Sequence, residues 1–99
     1  MTSPERPSPT ETTQRFRIEG RVQGVGFRMW ARSRASSLGL DGYVRNHEDG
    51  SVELVAAGPP PALRALREAL NGGPPGASVV RVAEEPAPPH TDPGFRIRR

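Results

Sequence analysis

From residue 15 to 22 the chain alternates between polar and apolar positions. Arg15, Arg17, Glu19 and Arg21 are charged, whereas Phe16, Ile18, Gly20 and Val22 are apolar or small. Successive side chains of a strand point to opposite faces, so this period of two predicts a half-buried strand. A different period follows a glycine-punctuated turn. Phe27, Trp30, Ala31, Ala35 and Leu38 recur at three- and four-residue steps, which predicts a helix with one apolar face, stopped by Gly39. Tyr43 to His47 and Ser51 to Ala57 read as two strands joined through Glu48-Asp49-Gly50, where the Asp-Gly pair signals a hairpin. Pro59 to Pro61 open a second helix, since proline costs little in a first turn. Leu63, Leu66 and Leu70 are its apolar stripe, and Gly72-Gly73-Pro74 end it. Val79, Val80 and Val82 mark a further strand, Glu85 to Pro93 a proline-rich loop, and Phe95 to Ile97 a short last strand.

The resulting order, β-α-β-β-α-β plus a terminal strand, predicts an α+β fold of the ferredoxin-like (split βαβ) kind. Its antiparallel sheet would carry both helices on one face. Ninety-nine residues are enough for one domain with a single modest core. That domain is expected over residues 14–99. Residues 1–13 contain Pro4, Pro7 and Pro9 among Ser and Thr. They hold too little apolar surface to offset the entropy of ordering, so a disordered leader is expected there.

The net charge of +3 rests on arginine alone, because the chain has no lysine. Nucleic-acid affinity is one reading, since arginine neutralises phosphates and stacks on bases. A compositional bias towards Ala, Gly, Pro and Arg is the other. The second is favoured, because the arginines are scattered among acids and form no basic run. Lysine Schiff-base chemistry is excluded. With no cysteine, disulfides and thiolate chemistry are excluded too, which fits a cytoplasmic location. No apolar run is long enough to cross a bilayer, and the first residues lack the basic-then-apolar order of a secretory signal.

The candidate chemistry lies in Gly20-Arg21-Val22-Gln23-Gly24-Val25-Gly26-Phe27-Arg28, where the first strand runs into the first helix. Such a turn lines up backbone N–H groups at the positive end of a helix dipole, a natural seat for an oxyanion. Arg28 follows with a planar fork of donors matched to phosphate oxygens. Taken singly, these residues have plainer readings. Gly24 and Gly26 fit a tight turn, Arg28 a solvated charge, and Asn46 a residue that shapes the hairpin.

Two long segments in register go further. Gly20 to Arg28 resembles the first signature of the acylphosphatases. Gly42-Tyr43-Val44-Arg45-Asn46, followed by Gly50, Val52 and Gly58, resembles their second. The resemblance spans Arg15 to Ile97, leaving the leader outside. It implies hydrolysis of the carboxyl–phosphate bond of small acyl phosphates to a carboxylate and inorganic phosphate. In that scheme Arg28 grips the phosphoryl group together with backbone amides of Gln23, Gly24, Val25, Gly26 and Phe27, and Asn46 orients the attacking water. No metal, covalent phosphoenzyme or organic cofactor is implied, and a free-standing cytoplasmic monomer is expected.

The scheme makes chemical sense. A carboxylate is a stable leaving group, so the protein has mainly to position water and stabilise charge on the phosphoryl oxygens. The Asn46 carboxamide can accept from water and donate to substrate, but it is no general base at neutral pH. The proton is therefore expected to go to a phosphoryl oxygen of the substrate.

The remaining polar residues are read more plainly. His47 and His90 are expected at the surface, Glu48 and Asp49 in a solvated turn, and Trp30 and Tyr43 in the core or a pocket wall. Arg21 and Arg45 add positive potential near the pocket, and which way they point is left open. The rival functions are an inactive domain of the same fold, a piece of a carbamoyl-transfer enzyme, and a nucleic-acid-binding module. The last would need exposed aromatics on the central strands. Only Phe16, Phe27, Trp30, Tyr43 and Phe95 are available, and most are needed for a core, so no nucleic-acid partner is expected.

Overall fold

The computed structural model describes residues 11–99. Its elements are β1 (Thr12–Arg21), α1 (Phe27–Ser37), β2 (Asp41–Asn46), β3 (Val52–Gly58), α2 (Pro60–Gly72), β4 (Ser78–Pro86) and β5 (Phe95–Arg98). Strand β1 begins at Thr12, two residues ahead of the expected domain start, with Thr12 and Thr13 paired to Gly58 and Ala57. Of the rest of the expected leader, residues 1–10 lie outside the described residues.

The five strands form one sheet in the order β4-β1-β3-β2-β5. Four of them pair antiparallel, as expected. The terminal strand differs: β5 runs parallel to β2, so the sheet is mixed. The strand order explains this. β4 and β5 occupy opposite edges, and the chain between them must cross the whole sheet before it can pair again. Crossing four inter-strand gaps takes about 19 Å, within reach of the proline-rich loop over residues 87–94 when extended. Ala87 N–H donates to Thr13 O at 3.0 Å, and Gly94 is bonded to β2 at both Asp41 Oδ1 and Gly42 N. The crossing covers the sheet face opposite the helices, where Val55 and Ala57 are buried without belonging to the main core.

That core lies between sheet and helices. Phe16 and Ile18 of β1, Val44 of β2 and Leu54 of β3 join Phe27, Ala31 and Ala35 of α1 and Leu63, Leu66 and Leu70 of α2 in a single cluster. Each fully buried leucine contributes about 1.5–3 kcal/mol relative to exposure, which is what holds α2 in place. That helix has no side-chain cap and starts with Pro60 and Pro61, whose fixed φ suits a first turn.

β4 departs from simple alternation. Val79 and Val82 both pack on the core, although they are three apart. A bulge opposite Glu19 and Gly20 absorbs the extra residue, and Val80 is left 78% exposed. Gly20 permits this: a Cβ there would lie 2.2 Å from Ser78 O and 2.8 Å from Val80 N.

Candidate active site

The segment after β1 reverses the chain on two glycines in the left-handed region, Gly24 with φ 78° and Gly26 with φ 76°. Gly26 is the N-cap of α1, offers no side-chain cap, and is followed by no acidic residue in the first turn. The first helical bond is Trp30 N–H to Gly26 O at 3.1 Å. The amides of Phe27, Arg28 and Met29 precede it, have no helical acceptor, and sit at the positive end of the dipole. An uncapped N-terminus of this kind is suited to bind an anion.

A cavity of about 260 Å³ opens over these groups. The loop and the first helical turn bring Gln23, Gly24, Gly26, Phe27, Arg28 and Met29 to its wall, β2 brings Asn46, and β5 brings Ile97. Arg28 and Asn46, eighteen residues apart in sequence, therefore face one space. Val25 does not line it, because its side chain packs against the core.

Gln23 is placed by its side chain as much as by its backbone. Its Nε2 donates to His47 O at 2.8 Å and to Ser51 O at 3.0 Å, stitching the loop to the β2–β3 hairpin. The hairpin itself is closed by His47 N–H to Ser51 O and by Gly50 N–H to His47 O. Asp49 Oδ1 accepts from both the amide and the hydroxyl of buried Ser51. Asn46 stands at the base of this braced turn, and its side-chain Oδ1 is buried without a hydrogen-bond partner.

Arg28 is held from the far end of the chain. Its Nη1 donates to the carbonyl of Arg98 in β5 at 2.9 Å. The family model described as Acylphosphatase matches residues 14–97. The chain is 55% identical over 84 residues to an acylphosphatase of Sinorhizobium medicae, covering 84% of this chain and 89% of that one. An acylphosphatase structure from Coxiella burnetii superposes with a TM-score of 0.87 at 40% identity, covering 90% of this chain and 94% of that one. One from Bacillus subtilis gives 0.83 at 35%, covering 88% and 98%. The chain belongs to the acylphosphatase family.

As an acylphosphatase it is a hydrolase, in a family that acts on small acyl phosphates. No helix among its described residues is long and apolar enough to cross a membrane. Its cavity wall carries neither Asp, Glu nor His among the described residues.

The charged groups of this acylphosphatase gather instead on the helix-free face of the sheet, around Glu53. That carboxylate takes hydrogen bonds from Arg15 Nε at 3.2 Å and Tyr43 Oη at 3.4 Å, and lies 2.7 Å from His47 Nε2. Burial alone would raise the Glu53 carboxyl, but the bonds from His47 and Arg15 outweigh it and hold it below the ordinary value. Arg45 belongs to this cluster, its Nε 3.8 Å from Glu53 Oε1, and it lines an adjoining hollow with Arg99 rather than the Arg28 cavity. Arg21 is exposed at the end of β1 and absent from the cavity wall.

Several plain readings of single residues change with the tertiary structure. His47 and His90 are half-buried rather than superficial, the first against Glu53 and the second with its ring 6.1 Å from that of Tyr43. Tyr43 lies neither in the core nor on the cavity wall: the Arg98 guanidinium stacks 3.8 Å above its ring on the outer face. Trp30 is half-buried, edge-on to Phe27 at 5.4 Å. Asp49, solvated on one side, also pairs with Arg17 and anchors Ser51. Met29, Ile97 and the Arg98 carbonyl are site components that local sequence did not single out. Met29 carried one readable signal, an apolar residue off the buried stripe of α1.

Proposed function

We propose that this protein hydrolyses small acyl phosphates by direct attack of a water that Asn46 orients on a phosphoryl group held by Arg28 and the loop amides. The observation that carries the reading is the convergence of the uncapped α1 N-terminus, Arg28 and Asn46, whose Oδ1 has no hydrogen-bond partner, on one cavity. The amides from Gln23 to Phe27 and the Arg28 fork supply donors for the equatorial oxygens, where charge accumulates as the bond loosens. Asn46 accepts a hydrogen bond from water and places its oxygen in line with phosphorus. The new P–O bond forms as the P–O bond to the acyl group breaks. The acyl group leaves as a carboxylate, and the water proton passes to a phosphoryl oxygen. That destination suits a cavity wall without Asp, Glu or His among the described residues. No step calls for a metal or an organic cofactor.

We further read the protein as a cytoplasmic monomer with no nucleic-acid partner. In support, the helix-free face carries ion pairs and a crossing loop, and its aromatic residue, Tyr43, is already stacked beneath Arg98.

The decisive experiment follows benzoyl phosphate cleavage by ultraviolet absorbance, with EDTA present, for the wild type beside Arg28→Ala. Rapid cleavage by the wild type and near-complete loss in the variant is expected. Near-wild-type turnover in a folded Arg28→Ala protein, or a divalent-metal requirement, would sink the scheme.

A further inference from the structure

Met29 is apolar where packing does not require it. Helix α1 buries Phe27, Ala31 and Ala35, and Met29 lies two residues past Phe27, about 200° around the helix from it. It is 66% exposed, one of two large hydrophobic side chains so exposed among the described residues. The other, Val80, is accounted for by the bulge in β4. Met29 instead lines the cavity shared by Arg28 and Asn46, where the other apolar side chains are buried Val22 and Phe27 and Ile97 of β5, partly buried against the core.

We propose that Met29 is the acyl-contacting, specificity-determining residue of this cavity, favouring acyl phosphates whose acyl group is apolar, an aroyl group above all. The proposal rests on the phosphoryl-transfer reading given above. In-line displacement places the entering water and the departing carboxylate on opposite sides of phosphorus. With the water on Asn46 of β2, the acyl group departs along the wall that Asn46 does not occupy. That wall includes the first turn of α1, and its exposed apolar surface is Met29. A thioether on an unbranched, flexible stem adapts to rings of different shape and makes favourable sulfur–aromatic contacts. An anionic acyl group would need a cation here beyond Arg28, which is committed to the phosphoryl group. The other cations nearby, Arg45 and Arg99, line the adjoining hollow with Glu48 and Asp49.

The test compares benzoyl phosphate with acetyl phosphate for the wild type, Met29→Ala and Met29→Gln, with inhibition by inorganic phosphate measured alongside. The benzoyl-to-acetyl ratio of kcat/KM is expected to fall about three- to tenfold in both variants, the scale of a sulfur–aromatic contact. The fall should come mainly from KM for benzoyl phosphate, and the phosphate inhibition constant should stay at its wild-type value. An unchanged ratio in variants of an active wild type would overturn the acyl contact alone. A wild type that cleaves neither compound would overturn the phosphoryl reading and the acyl contact with it.

Discussion

The guanidinium of Arg28 donates to the main-chain carbonyl of Arg98, a residue 70 positions further along the chain, at 2.9 Å. Helix α1 fixes the backbone of Arg28 while β5 fixes its charged end, and the unused N–H groups of the fork remain available to an anion. β5 is itself held by parallel pairing with β2 and by Arg98 stacked on Tyr43. A residue in the first signature is thus aimed by the last strand.

Deleting Arg98 and Arg99 should therefore raise both KM and the phosphate inhibition constant by about three- to tenfold, the scale of one hydrogen bond. Arg98→Ala keeps the carbonyl and should show the smaller effect. If the truncated protein bound phosphate as tightly as the full chain, the bond would have no part in aiming Arg28.

Asn46→Ala should lower kcat by roughly a hundredfold or more, the scale for removing one positioned polar group at a transition state. Phosphate inhibition should be largely kept, because the α1 N-terminus and Arg28 are untouched. Steady-state kinetics with phosphate as inhibitor separates the two. An equal loss of phosphate affinity would make Asn46 a substrate ligand instead of a water-orienting group.

Gly24→Ala tests the loop conformation with little steric interference, since a Cβ there meets nothing within 4 Å. With φ at 78°, the left-handed backbone costs an alanine about 1–2 kcal/mol. The melting temperature should drop by roughly 4–8 °C per kcal/mol in a domain of this size. Thermal unfolding with and without phosphate checks it: the stabilisation by phosphate should shrink as well, because the amides no longer converge.

Stability in acid should be governed in part by Glu53 and Asp49. Glu53 is pushed up by burial but held below its ordinary 4.5 by the stronger effect of His47 and Arg15. Asp49 is held below its ordinary 3.8 by the hydroxyl and amide of Ser51. A carboxylate depressed on folding stabilises the fold above its unfolded pKa, and that contribution is lost as pH falls through the folded value. The urea midpoint should thus be unaffected by these groups above about pH 5 and should decline below about pH 4. Glu53→Gln should flatten part of that decline. Parallel curves for the two proteins between pH 5 and pH 3 would remove Glu53 from the account.

Local periodicity made most of the architecture legible. The alternation of Arg15 to Val22 and the spacing of Phe27, Ala31 and Ala35 each report one buried face. Asp49-Gly50 marks the hairpin because few residue pairs suit so tight a reversal. The loop glycines and Arg28 stand within nine residues of one another, so the proposed phosphate cradle is nearly complete in one segment. Val80 is the instructive exception. It belongs to the valine-rich run that marks the strand, but a bulge set by the neighbouring strand turns it outward.

The sequence by itself determined the order of elements, most of the residues that face the core, and the loop proposed to seat an anion, because each depends on neighbours a few residues apart. Only the tertiary structure decided that β5 runs parallel to β2, that Gln23 stitches the loop to the hairpin, and that Arg28 is aimed by Arg98. It also placed Asn46 and Met29 on the same cavity as Arg28. These relations depend on strand order and on the path of one loop across the sheet, and such long-range pairings leave no periodic mark on the chain.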